Sequence, residues 1–108
     1  MDGQVWDAFQ VAAAMEGPAQ QFQRLLTRPD LVVGVLRVLP GGLDLQGTHQ
    51  QDEVYACVGG HGLIRLGDRD APVAPGSVIF VPAGLPHRFH GNKEQLTLAY
   101  VLAPAAAG

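Results

Sequence analysis

Thr48-His49-Gln50-Gln51-Asp52-Glu53-Val54-Tyr55 places an imidazole and a carboxylate four residues apart, on either side of a polar turn. A partner comes later, in Pro82-Ala83-Gly84-Leu85-Pro86-His87, where a second imidazole follows a loop stiffened by proline and glycine. Two histidines and one carboxylate from separate strands are a ligand set for one transition-metal ion. Glu53 to Val58 reads as a strand, on which Glu53, Tyr55 and Cys57 share one face and Val54, Ala56 and Val58 the other. A carboxylate on the inner face is costly unless something positive neutralises it. No Lys or Arg lies in this stretch, so a metal ion is the candidate, with a distant arginine as the alternative. A helix would also bring His49 and Glu53 to one face, but the neighbouring Gly and β-branched residues disfavour it.

The same alternation sends His87 and Phe89 one way and Arg88 and His90 the other, so one histidine of that strand joins the site. His87 is the choice because it stands at the loop edge, where a stiff backbone holds a ligand in place. Tyr55, Cys57 and Phe89 are expected to line the pocket, with Tyr55 a possible proton donor. His61, in a glycine turn, and His90 are expected at the surface.

Working outward, residues 1–20 form an N-terminal arm in which Val11 to Glu16 predicts a short helical turn stopped by Gly17-Pro18. Trp6 and Phe9 are apolar enough that the arm should pack on the barrel or on a partner subunit. Gln21 to Thr27 is a modest strand and Leu31 to Leu39 a well-buried one. Pro40-Gly41-Gly42 breaks it, and Leu43 to Thr48 reads as a short strand. Gly59-Gly60-His61-Gly62 reverses the chain so that Leu63 to Leu66 runs back. Gly67-Asp68-Arg69-Asp70 is a hairpin turn and Pro75-Gly76 a tight turn. Ser77 to Val81, His87 to His90 and Glu94 to Leu102 supply further strands. Eight or nine short strands spaced by turns favour an all-β fold, an antiparallel sandwich or jelly-roll barrel with a short helical arm. The division is an arm (1–20), a barrel (21–103) and a tail (104–108) expected to fray.

The 108 residues are 47% hydrophobic and only 16% charged, with 14 Gly and 8 Pro, which excludes a disordered chain. The low charge also suggests that a second copy covers apolar surface, a homodimer. A net charge of −3 without a basic run argues against nucleic acid. One cysteine excludes an intrachain disulfide. With no signal-peptide pattern and no membrane-length apolar run, the expectation is a cytoplasmic protein.

Gly42, His49, Glu53 and Gly60 resemble the first conserved motif of the cupins, in which His49, Glu53 and Gly60 match H-x3–4-E-x6-G. Gly76, Pro82, Gly84 and His87 match G-x5-P-x-G-x2-H of the second. The resemblance spans residues 42 to 91 and implies a double-stranded β-helix, the cupin jelly roll. There are two departures. Gly47 stands where the first histidine of a pair would be, and Gly91 where an asparagine would be, with Asn92 one residue late. The resemblance thus implies a metal set of His49, Glu53 and His87, with the Gln46 amide as candidate fourth ligand. It implies one divalent transition metal, among Fe, Mn, Ni and Zn, and a small organic substrate taken through dioxygenation, isomerisation or lyase chemistry. A non-catalytic binding or sensing protein, or one with a vestigial site, would use the same barrel.

Overall fold

The computed structural model describes residues 2–41 and 49–104. The elements are α1 (Ala8–Ala13), β1 (Phe22–Arg28), β2 (Leu31–Val38), β3 (Gln51–Gly59), β4 (Gly62–Leu66), β5 (Arg69–Val73), β6 (Val78–Val81), β7 (His87–His90) and β8 (Leu96–Pro104). They build two antiparallel sheets, one of five strands ordered β1-β2-β8-β3-β6 and one of three ordered β5-β4-β7. Tyr55, Leu36, Leu98 and Val81 of the large sheet pack against Ile64, Val73 and Phe89 of the small one. This is the expected all-β jelly roll. The proposed strand Leu43–Thr48 lies outside the described residues.

Period-two alternation positions the site. On β3, Glu53, Tyr55 and Cys57 are buried while Val54 and Val58 face out. On β7, His87 and Phe89 are buried and Arg88 is exposed. Both faces follow the expectation. The turns also follow local chemistry. Leu66 pairs with Arg69 around a two-residue turn whose first residue, Gly67, has φ 63°, as a type II′ hairpin requires. Pro72 is tolerated because β5 is an edge strand. Ser77 N–H donates to the Ala74 carbonyl at 2.9 Å around Pro75-Gly76.

Two local expectations change. The chain does turn after β3, but β4 does not pair with it; β4 pairs with β5 and β7 in the other sheet. Gly60 has φ 87°, and a Cβ there would collide with the Gln95 carbonyl, so this glycine lets the chain cross between sheets at close quarters. The helix starts at Ala8 rather than Val11 because the Asp7 carboxylate accepts from Phe9 N–H at 2.9 Å and Gln10 N–H at 3.2 Å. The arm packs on the barrel through Ala12 and Met15 against Val35. Trp6 and Phe9 remain partly exposed, with the Phe9 ring laid against Gly59.

The arm covers the outer face of the large sheet near β2. Toward β6 that face is apolar and open. Val78 and Phe80 are 75% and 58% exposed, and Phe80 stands opposite Val54 across β3–β6.

Candidate metal centre

Glu53 is 2% exposed, and its Oε1 atom is the hub of the site. Tyr55, two positions on along the same face of β3, donates its hydroxyl to Oε1 at 2.8 Å. His87 Nε2 lies 3.2 Å from Oε1 and 3.2 Å from the Tyr55 hydroxyl. His49 Nε2 lies 3.5 Å from Oε1. The two imidazole rings are tilted by 47° with centroids 5.3 Å apart.

Each ligand is held by its backbone. His87 Nδ1 donates to the Leu85 carbonyl at 3.0 Å, which in the neutral ring leaves the Nε2 lone pair facing Glu53. The loop before it turns through Gly84, at φ 84°. Gly84 N–H donates to the His49 carbonyl at 2.7 Å, and Ala83 N–H to Asp52 Oδ1 at 2.9 Å. These two bonds tie the segment carrying His49 to the loop that delivers His87.

The chemistry of the cluster fits a cation. No Lys or Arg pairs with Glu53 among the described residues, so the distant arginine is absent there. Among the described residues His49 Nε2 is buried without a hydrogen-bond partner, an arrangement that costs free energy on the order of 1–3 kcal/mol unless something meets that nitrogen. One ligand atom from each of His49, Glu53 and His87 lies within 4.8 Å of the others, a spacing that one ion of about 2 Å bond length can bridge. Gln46, the candidate fourth ligand, lies outside the described residues.

Other residues named from the sequence take these places. Tyr55 sits behind Glu53 and meets Phe89 edge-on, with centroids 5.0 Å apart. Cys57 is buried, its thiol donates to the Gly59 carbonyl at 3.4 Å, and burial pushes its pKa up. Tyr55, Cys57 and Phe89, the expected pocket lining, are not among the residues that line the cavity described below. His61 is exposed and pairs with Glu94 at 3.0 Å, and His90 pairs with Asp70 at 2.9 Å. Asn92, one residue late for its motif, ties loops together by donating to the Val38 and Glu94 carbonyls.

A cavity of about 390 Å³ opens over His49 and Glu53 and runs along the inner face of the large sheet to β1. Leu36, Leu102 and Phe22 give it apolar walls, and Tyr100 and Arg24 add polar groups. Its size is in the range of small-molecule sites. Sequence reading missed Arg24 and Tyr100, since neither lies near a motif. For Arg24 the one local mark was the alternation on β1, where Phe22 and Arg24 share one side.

Comparison with known proteins agrees with this fold. Residues 34–103 match the family model described as a cupin domain. An uncharacterized protein of Streptomyces coelicolor is 40% identical over 92 residues, 85% of each chain. A Klebsiella pneumoniae protein with a double-stranded β-helix domain superposes with a TM-score of 0.83 at 17% identity, covering 99% of this chain and 95% of that one. The DMSP lyase DddQ of Ruegeria pomeroyi gives a TM-score of 0.71 at 17% identity, covering 81% and 48%. On the family match and on its jelly-roll fold, the chain belongs to the cupins.

Proposed function

We propose that this cupin binds one divalent transition-metal ion through His49, Glu53 and His87 and acts as an enzyme on a small organic molecule. The observation that carries this reading is the buried Nε2 of His49, without a hydrogen-bond partner among the described residues and 3.5 Å from the same carboxylate oxygen that His87 approaches. When bound, an ion of the Fe, Mn, Ni or Zn class supplies a Lewis acid toward a substrate oxygen. Gln46 is the candidate fourth ligand.

The chain's own groups do the rest. Tyr55 holds a proton 2.8 Å from Glu53 Oε1, which orients the carboxylate and keeps a proton donor beside the site. Phe22, Leu36 and Leu102 limit water along the cavity wall. Dioxygenation, isomerisation and elimination all fit such a centre, and the DMSP lyase is a protein of this fold whose name states a lyase activity. The reach of the cavity to β1, well past the ligand cluster, also suits a protein that binds or senses a small ligand without converting it.

We further propose that a second copy of the chain covers the open apolar face of β3 and β6, and that the protein works in the cytoplasm. Among the described residues no helix is long and apolar enough to cross a membrane.

Elemental analysis of protein purified without added metal tests the centre. One equivalent per chain is expected, falling sharply in His49→Ala and in His87→Ala. A His49→Ala protein that kept its full metal content would sink this ligand assignment. Oxygen uptake and product formation with carbonyl, phenolic and sugar substrates then separate enzyme from binder.

A further inference from the structure

We propose that the cavity takes a small organic acid and that Arg24 anchors its carboxylate at the β1 end, an inference that rests on the metal reading for the opposite end. The residues are set out in one row across the large sheet. Tyr55 on β3 stands opposite Tyr100 on β8, Tyr100 opposite Gly34 on β2, and Gly34 opposite Arg24 on β1. Side chains of such a row share a face. Gly34 is what opens the path. A Cβ there would collide with the end of the Tyr100 ring and lie 2.6 Å from the Gln23 carbonyl, so Tyr100 lies across the glycine and extends toward β1.

Burial pushes the Tyr100 hydroxyl's pKa up, while the Arg24 charge pulls it down and the Glu53 charge adds to the rise, so the hydroxyl feels both charges. Among the described residues nothing pairs with the Arg24 guanidinium, and nothing hydrogen-bonds the Tyr100 hydroxyl. Both groups line the cavity, with Phe22, Leu36 and Leu102 forming its apolar length. A bulge directly after Arg24, where the register with β2 shifts before Leu26, lets Leu25 pack toward the helix while Arg24 stays on the cavity side.

The charges favour an anion. Arg24 and Glu53 are the formally charged residues among those lining the cavity, and they cancel. A divalent ion on Glu53 makes the lining net positive. Arg24 presents a planar fork suited to a carboxylate, Tyr100 a hydroxyl that can donate to a substituent along the chain, and the walls a path for several methylenes.

The test is calorimetric titration of hexanoate against its neutral isostere hexanamide, with wild type and Arg24→Gln, each stripped by chelator and reloaded with Mn²⁺. Arg24 is exposed, so the contact is discounted, and wild type should prefer hexanoate by roughly five- to tenfold in both metal states. Arg24→Gln should bring the two probes within about twofold at unchanged manganese stoichiometry and unchanged melting temperature. Arg24→Lys should recover part of the preference. Equal or absent binding of both probes to wild type, or a preference that survives in Arg24→Gln, overturns the proposal. A preference seen only with manganese present also overturns it, because the ion and not Arg24 would then hold the acid. If wild type takes up no manganese yet keeps an Arg24-dependent preference, the metal reading fails and the anion site stands.

Discussion

The Tyr55 hydroxyl donates to Glu53 Oε1 at 2.8 Å from two positions along the same buried face of β3. The bond fixes which way the carboxylate lone pairs point toward the two histidines. Tyr55→Phe keeps the ring and its edge-on contact with Phe89 but frees that oxygen to rotate. Metal affinity should fall by about 10- to 100-fold with the stoichiometry intact, as for other partners that orient a ligand. Competition against a chromophoric chelator measures this, and an unchanged affinity would show that Tyr55 plays no orienting part.

Gly34→Ala tests the cross-strand row from the other side. The new methyl group meets the end of the Tyr100 ring and the Gln23 carbonyl, and the carbonyl cannot yield without moving β1. A loss of about 1–3 kcal/mol is expected from overpacking of this kind. Urea denaturation with an unchanged m-value would give it directly, whereas a neutral result would mean that Tyr100 swings aside at little cost.

Asp70 provides a pH test remote from the centre. The His90 imidazole, hydrogen-bonded at 2.9 Å, holds the Asp70 carboxyl below its ordinary value of 3.8, with Arg65 adding a smaller pull. A carboxyl lowered in the folded state contributes stability that is present above pH 3.8 and lost as pH falls through the lower folded midpoint. The melting-temperature gap between wild type and Asp70→Asn should therefore close as pH drops below that value. A gap that stays constant down to acid would assign the difference to something other than this ionisation.

Phe80→Glu puts a charge in the middle of the exposed apolar face beside Val54 and Val78. Light scattering coupled to gel filtration should find a dimer for the wild type and a monomer for the variant, with the fold intact by circular dichroism. A wild-type monomer at all concentrations would remove the second copy from the account.

What could be read from the chain depended on how local the cause was. The burial of Glu53, Tyr55 and Cys57, and of His87 and Phe89, follows from strand alternation, and the turns at Gly67 and Pro75-Gly76 follow from their own residues. Local pattern therefore located both ligand-bearing strands. It could not assign β4 to the second sheet, because that depends on its pairing with β5 and with β7, whose residues lie more than 20 positions further on. The helix starts ahead of the alanine run because the Asp7 carboxylate caps it. Arg24, like the sheet of β4, was out of reach. Its place on the cavity side depends on a bulge and on its pairing with Gly34, neither of which leaves a short-range mark.

Tyr55 belongs to the large sheet and His87 to the small one, yet their polar atoms lie 3.2 Å apart across 32 residues of intervening chain. No single hairpin contains both, so the cluster cannot preassemble during the early, local events of folding; it comes into being when the two sheets close. Capture of a coloured ion such as cobalt would then serve as a clock for that closure, timing the last step of assembly separately from the growth of either sheet.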